Sequence, residues 1–406
     1  VLFFDSKDKK ERKELKEWAL MVRKVYDYRH DILPTKDREA LTELLERVES
    51  LFKDKTSPIE GLRIVQNEGD PLLRRCGGYL YPKTFIADNA EMLLFAAILA
   101  IGIRSFFFQP FKIPTNSMYP TYNGMTAAAY VEEAPPNRGV QALRLITLGA
   151  KQYRIVAPTD GELSFSPERQ LVPGRKWFIL PTQKFRYTFY VGESPVTVDL
   201  PLEFDVRQVL GPLFADRARS MGKLPSGKEV LRTGIQVYEG DVAFAFDLLT
   251  GDQLFVDRFT YHFRPPRVGD PIVFRTDNIP GMDADNVGKY YIKRAVAGPG
   301  DTLEIEPPGL LVNGEEPTGS PAFARNREQV DNYSGYVFAG PTQNYPRPFF
   351  DGEGELTLPE KSYFAMGDNS PNSADSRMWG LVPQREIVGR AFLIYYPFSH
   401  RWGLAE

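Results

Sequence analysis

Two side chains in this chain of 406 residues, Ser117 and Lys293, together could carry acyl-transfer chemistry without a histidine. Ser117 stands in Ile113-Pro114-Thr115-Asn116-Ser117-Met118-Tyr119-Pro120-Thr121. Each flanking proline restricts its predecessor to β or polyproline conformations, so the serine is expected on a fixed extended stretch. Lys293 stands in Tyr290-Tyr291-Ile292-Lys293-Arg294-Ala295-Val296, followed by Gly298-Pro299-Gly300-Asp301. In a strand Lys293 and Arg294 point to opposite faces, so one is expected buried and the other wet. Lys293 shares its face with Tyr291 and Ala295, and apolar burial favours the neutral amine. Moving its pKa from about 10.4 to about 8 costs roughly 3 kcal/mol of folding free energy. A neutral lysine can accept the proton of a serine hydroxyl. Taken singly, Ser117 reads as a loop serine and Lys293 as a surface lysine; only their company changes that.

Two further segments supply that company. Gly367-Asp368-Asn369-Ser370-Pro371-Asn372-Ser373-Ala374-Asp375-Ser376-Arg377-Met378-Trp379-Gly380 is dense in residues that bond side chain to backbone, and Asp375 can pair with Arg377 across it. Leu248-Leu249-Thr250-Gly251-Asp252-Gln253-Leu254-Phe255-Val256-Asp257-Arg258 has a Gly-Asp echo at Gly269-Asp270.

Composition narrows the alternatives. The chain is 42% hydrophobic and 25% charged with a net charge of -3, so it can bury a large core and has no basic excess directed at nucleic acid. Its single cysteine, Cys76, excludes an internal disulfide framework and a cysteine-based zinc cluster. The 3 histidines, His30, His262 and His400, lie too far apart to suggest an HExxH site or a Ser-His-Asp triad. A hydrolase built from this sequence is therefore expected to use another base. The chain starts at Val1, consistent with a missing upstream piece.

These residues need elements to position them. Lys9 to Phe52 predicts two helices broken near Pro34, with Leu41, Leu44, Leu45, Val48 and Phe52 at helical spacing, which reads as a solvated amphipathic hairpin. Met92 to Ile103 is apolar and free of charge; twelve residues rise only about 18 Å, too short for a bilayer. Extended from Phe85 to Phe108 the segment reaches about 36 Å, enough to span with some tilt. Its polar residues lie near the two ends, where they can snorkel to the headgroups. It sits too far into the chain for a cleavable signal peptide and lacks a small-residue cleavage site. Beyond Phe111 strand patterns dominate: Lys184–Tyr190 with Phe185, Tyr187 and Phe189 on one face, then Ile272–Phe274, Tyr290–Val296, Leu303–Ile305 and Phe392–Tyr396. Tyr153–Pro167 and Lys176–Pro201 read as strands too, and Val206–Met221 is the clearest helical pattern. The fold class is expected to be mainly β, with an N-terminal helical region and a single transmembrane helix.

In this order the four segments, behind an apolar stretch, closely resemble the type I bacterial signal peptidases (leader peptidases), serine proteases with a Ser/Lys dyad. The family pattern has an Ile-Pro-Ser-x-Ser-Met-x-Pro-Thr box, a Gly-Asp strand box, a Lys-Arg box ending in Pro-Gly-Asp, and a Gly-Asp-Asn…Ser-x-Asp-Ser-Arg box. The resemblance covers about residues 85–124 and 246–397. It implies Ser117 as nucleophile and Lys293 as general base. It implies an oxyanion hole from the Thr115 hydroxyl and the Ser117 amide. Ser373 would orient the lysine, with Asp375 and Arg377 supporting that loop, and Pro114, Met118 and Ile292 would line the substrate pockets. No metal and no cofactor is implied. Asn116 replaces a glycine of the pattern, Thr115 a serine, Ala297-Gly298-Pro299 a Gly-Leu-Pro, and Ser370-Pro371 an Arg-Asp pair; every reacting group remains.

The layout implied is a helical cytoplasmic region at 1–83, an anchor at 84–109, catalytic parts at 110–124, 248–301 and 360–406, an accessory β subdomain at 302–359, and a β-rich insertion at 125–247. The insertion reads as a lineage-specific addition packing beside the core, or as a module that gathers substrates. The family implies preprotein signal peptides as substrates, cut after small residues at -1 and -3. It also implies a lipid bilayer partner, no nucleic acid, room for contact with the secretion machinery, and a single-pass protein of the bacterial plasma membrane with its catalytic body outside. A self-cleaving Ser/Lys peptidase and an inert membrane-tethered β scaffold are the rival readings. The apolar segment argues against the first, and the retained Ser117, Lys293 and Ser373 against the second.

Overall fold

A computed structural model describes residues 7–53, 58–131, 134–176, 180–214 and 220–405. The chain divides into two compact units, Val1–Ile101 and Gly102–Glu406.

The first unit contains helices Lys7–Arg29, Thr35–Lys53 and Ile59–Gly77. The expected hairpin is thus joined by a third helix. Leu62, Val65, Gly69, Leu73 and Cys76 recur at 3–4 spacing and are all buried. Gly69 and Pro71 interrupt that pattern in sequence. In space a Cβ on Gly69 would lie 2.6 Å from Leu44 Cδ1, so the glycine lets two helices close on each other. The shared core includes Trp18, Val22, Leu41, Leu44, Val65, Leu73 and Cys76.

Helix Phe85–Phe106 behaves differently. Its window Asn89–Phe106 has a mean hydropathy of 1.5, and none of it is buried. Met92, Leu93, Leu94, Phe95, Ile98 and Ile101 are each more than half exposed, and at 3.6 residues per turn they are spread around the helix. At about 1.5 Å per residue it runs about 33 Å, long and apolar enough to cross a membrane.

The second unit is mostly β. An antiparallel sheet runs in the order Phe108–Lys112, Gln253–Asp257, Ile387–Tyr396, Pro271–Arg275, Tyr290–Ala297, Ser362–Met366, Val382–Pro383. Period-two alternation packs Val273 with Ile292, Leu254 and Met118 on one side, and Ile272 and Phe274 with Ala295, Tyr363 and Trp379 on the other. The predicted strands at 272–274, 290–296, 303–305 and 392–396 all lie within observed ones.

Residues 125–248 build a second core. Strands Thr126–Tyr130, Val242–Leu249 and Lys151–Val156 form one sheet, and Gly161–Lys176, Leu180–Val191, Ser194–Pro201, Glu229–Val237 and Ser220–Lys223 another. They close over Phe165, Tyr187, Phe189, Phe244 and Phe246. Strands Leu180–Val191 and Ser194–Pro201 are joined by a tight hairpin turn with Gly192 at φ 58°. The predicted helix over Val206–Met221 shrinks to Arg207–Leu213, because Pro212 cannot continue the ladder, and Met221 lies in a strand; residues 215–219 fall outside the described chain. A small sheet of Gly309–Val312, Thr302–Glu306 and Glu355–Thr357 completes the unit over Leu303, Ile305, Leu310 and Phe350.

Candidate active site

Ser117 does not lie on an extended stretch. Pro114 and Pro120 constrain Ile113 and Tyr119, one residue before each, and leave Asn116–Met118 free to form a single 3-10 turn. Thr115 enters it extended (φ -120°, ψ 159°), Tyr119 leaves it extended, and the Tyr119 amide donates to Asn116 O at 3.1 Å. The turn is held at its base by the Gly-Asp box. Ile113 N donates to Asp252 O at 2.8 Å, and Asn123 N donates to the Asp252 carboxylate at 2.7 Å. Asp252 is fully buried and also takes Arg401 Nη2 at 2.7 Å. A Cβ on Gly251 would fall 1.8 Å from Ile113 O, so only glycine permits this approach.

Asn116, a departure from the family pattern, earns its place by stapling the turn from the other side. Its Oδ1 accepts from Gly124 N at 2.8 Å and its Nδ2 donates to Met125 O at 3.5 Å.

Lys293 is 4% exposed, inside strand Tyr290–Ala297, and its Nζ hydrogen-bonds the Ser117 hydroxyl. The Tyr291 ring lies 6.0 Å from Nζ. Among the described residues no carboxylate forms an ion pair with it. Desolvation pushes its pKa down to about 8; Asp375 pulls it upward, Arg377 pushes it further down, and Asp368 pulls it upward. Arg294 is not the wet partner expected of it, being fully buried. The strand lies inside the sheet with both faces covered, so Arg294 needs a counter-charge. It has one: Nε and Nη2 donate to the two oxygens of Asp368 at 2.7 and 2.6 Å, and Nη1 donates to Gly269 O at 2.7 Å. Thr121, at the far end of the nucleophile segment, donates to the same Asp368.

The segment 367–377 clamps both groups. Asn369 N donates to Ser117 O at 3.1 Å, and Asn369 Nδ2 donates to Asn116 O at 3.0 Å. Gly367 is required here, since a Cβ would lie 2.3 Å from Ser117 O and 2.3 Å from Ser373 Oγ. Asp375 and Arg377 form the pair expected of them, buried, with Nε and Nη2 each at 2.8 Å from a carboxylate oxygen. Burial alone would raise the Asp375 carboxyl, but the Arg377 guanidinium holds it below its ordinary value. Asp375 also accepts from Gly367 N at 3.0 Å, and Arg377 reaches Val337 O and Ser370 O, each at 2.7 Å. Ser373 is placed beside this group, yet its buried hydroxyl forms no hydrogen bond among the described residues, to Lys293 or otherwise.

A cleft of about 840 Å³ opens over the Ser117–Lys293 pair. Of the three residues named for the substrate pockets, Pro114 and Ile292 line it and Met118 does not; Thr115 lines it too. Met118 is fully buried against Ile113, Tyr122, Val273 and Ile292, so it anchors the turn from below instead of meeting substrate. The geometry adds Asn116, Asn369 and Gly367 to the residues named from sequence. The Gly-Asp-Asn motif was the only signal for the last two, and Asn116 carried none beyond being unusual.

The site can do one kind of chemistry. It presents a hydroxyl to a lysine that is buried, uncompensated and able to be neutral near pH 8, at the floor of a peptide-sized cleft.

Residues 244–396 match the family described as signal peptidase, peptidase S26; the match takes in Lys293 and the clamp, while Ser117 precedes it. The chain is 35% identical over 153 residues to "Probable signal peptidase I-1" of Synechocystis sp., covering 38% of this chain and 66% of that protein. It is 30% identical over 152 residues to a signal peptidase I of Leptolyngbya laminosa, covering 37% and 64%. The matched stretch thus spans slightly less than two thirds of these two relatives. With the signal peptidase I of Aquifex aeolicus, identity is 32% over 187 residues, covering 37% of this chain and 70% of that protein. A buried Ser-Lys contact within a mainly β unit, and this extent of likeness, place the chain in the signal peptidase I family, peptidase S26.

Proposed function

We propose that the protein is a membrane-anchored serine endopeptidase that removes signal peptides from exported preproteins. The observation that carries this reading is the contact of Lys293 Nζ with the Ser117 hydroxyl in a site that lowers the lysine's pKa. Ser117 Oγ attacks the scissile carbonyl and its proton passes to Lys293. The oxyanion that forms is met by the Ser117 amide and the Thr115 hydroxyl. Lys293 then protonates the leaving amine as the C–N bond breaks. In the second half, water replaces the amine, Lys293 takes its proton, and the acyl bond to Ser117 is hydrolysed. Ser373, Asp375 and Arg377 hold the lysine side of the site, while Pro114 and Ile292 shape the pockets for small side chains.

In this reading residues 84–109 anchor the chain as a single span. Residues 1–83 lie in the cytoplasm, and the catalytic parts 110–124, 248–301 and 360–406 stand on the outer face with the insertion 125–247 and the accessory subdomain 302–359. The bilayer is a partner throughout, and the secretion machinery delivers the substrates. Support comes from the unburied apolar helix Phe85–Phe106.

The test is processing of a preprotein with an Ala-x-Ala site in membranes carrying the full chain, beside Ser117→Ala and Lys293→Ala. Cleavage by the unaltered chain alone is expected; equal processing by all three chains overturns the reading.

A further inference from the structure

The cleft over Ser117 and Lys293 has a wall that neither the turn carrying Ser117 nor the strand carrying Lys293 supplies. It is the turn 203–208, of which Glu203, Phe204, Asp205, Arg207 and Gln208 face the cleft. The turn follows strand Ser194–Pro201 and leads into helix Arg207–Leu213. It lies outside the residues that match the family.

This wall is fixed in place. Phe204 is 4% exposed and packs in the core of the 125–248 sheets. Gln208 binds the chain just beyond the nucleophile turn: its Nε2 donates to Met125 O at 3.2 Å, and its Oε1 accepts from Ala127 N at 3.3 Å. Met125 O is the same oxygen that accepts from Asn116 Nδ2. The wall and the residue preceding Ser117 therefore share one carbonyl.

Its charges are unevenly satisfied. Arg207 closes on Asp205, with Nε donating to Oδ1 at 2.9 Å and to Oδ2 at 3.0 Å and Nη2 donating to Oδ2 at 2.8 Å, so these two charges cancel. Glu203 is exposed and makes no hydrogen bond or ion pair among the described residues. A peptide lying over Ser117 meets one uncompensated carboxylate on this side.

We propose that the turn Glu203–Gln208 is a specificity wall of the active-site cleft, in which Glu203 favours peptide substrates bearing Lys or Arg near the cut bond and disfavours Asp or Glu there. The proposal deepens the peptidase reading and rests on it.

Binding and cleavage are measured separately to keep the two apart. Binding uses the full-length Ser117→Ala chain in detergent micelles, with fluorescent Ala-x-Ala peptides that differ only by Lys, Gln or Glu, scanned through the positions on both sides of the cut. At one or more positions the Lys peptide is expected to bind about five-fold tighter than the Glu peptide, the size of one partly exposed charge contact. Glu203→Gln should remove that ratio and Glu203→Lys invert it. Ratios unmoved by both substitutions overturn the proposal, as does failure of every peptide to bind. Cleavage of the Gln peptide by the Ser117-containing chain is read in parallel. Ratios that respond to Glu203 with no peptide cut leave the specificity wall standing and remove the proteolytic reading; cut peptides with unresponsive ratios do the reverse.

Discussion

Lys293 and Arg294 are neighbours on one strand and both are buried, yet among the described residues only Arg294 is ion-paired to a carboxylate. Asp368 takes the arginine's charge with two hydrogen bonds, while Lys293 is given a serine hydroxyl. Burying a charge with a partner holds the charge; burying it without one favours its loss. Burial keeps pressing down on Arg294 too, but Asp368 more than offsets it and raises the guanidinium's pKa. One strand thus makes one cation permanent and the other conditional.

The conditional cation sets the pH dependence. With Lys293 at about 8, kcat/KM should rise through pH 8 with a slope of one and flatten above it. Lys293→Arg should be inactive at all pH values, since a guanidinium does not give up its proton. A flat profile between pH 6 and 9 contradicts a lysine base.

The same group links pH to stability. Its folded pKa lies below its unfolded value, so from about pH 8 to about 10.5 the unfolded chain binds the proton that the folded chain has released, and stability rises with pH. Below pH 8 the full penalty applies. Lys293→Met should therefore raise stability at pH 7 by about 1–3 kcal/mol, and the gain should shrink above pH 9; thermal unfolding across pH measures it.

The Arg294–Asp368 pair is structural. Asp368→Asn leaves a buried guanidinium without its counter-charge and should cost about 3–5 kcal/mol. Arg294→Met combined with Asp368→Leu should recover much of that loss. Denaturant unfolding of the single and double variants gives the comparison, and additive losses would argue against the pairing.

The clamp on the nucleophile should act through position. Gly367→Ala forces a methyl against Ser117 O and should lower kcat about 100-fold, the cost of displacing a reacting atom by about 1 Å. Asn369→Ala removes one bond to Asn116 O and should lower kcat about ten-fold with KM little changed. Circular dichroism of each variant checks that the fold survives.

The apolar helix carries its own test. Lys in place of Phe95 and Ile98, near the middle of the window, costs about 2.5–3.5 kcal/mol each in a bilayer. The doubly substituted chain should be released by alkaline carbonate, while the parent stays in the membrane pellet.

How far the sequence foretold this depends on distance along the chain. Ser117, Lys293, Asp375 and Arg377 sit in motifs whose residue types announce chemistry or pairing, and the strands around them are buried along nearly their whole length and read as apolar runs. The third N-terminal helix was hidden because Gly69 and Pro71 break a helical pattern for reasons visible only once Leu44 is seen against the glycine. Pro212 cut short a helix that periodicity alone extends. Met118 looked like a pocket residue because it adjoins Ser117, but a turn of the 3-10 kind sends it into the core. Asn116, Asn369 and Gln208 act on backbone carbonyls brought close by folding, and no local pattern marks such a role.

The order in which the chain is made now acquires meaning. Lys293 lies 176 residues beyond Ser117, and Asn369, which grips the Asn116–Met118 turn, lies 253 residues beyond Asn116. Synthesis runs from the N-terminus, so the serine leaves the ribosome long before its lysine and longer still before its clamp. A chain made only as far as Ser117 lacks its lysine, and one that stops short of Asn369 lacks the hand that holds the turn.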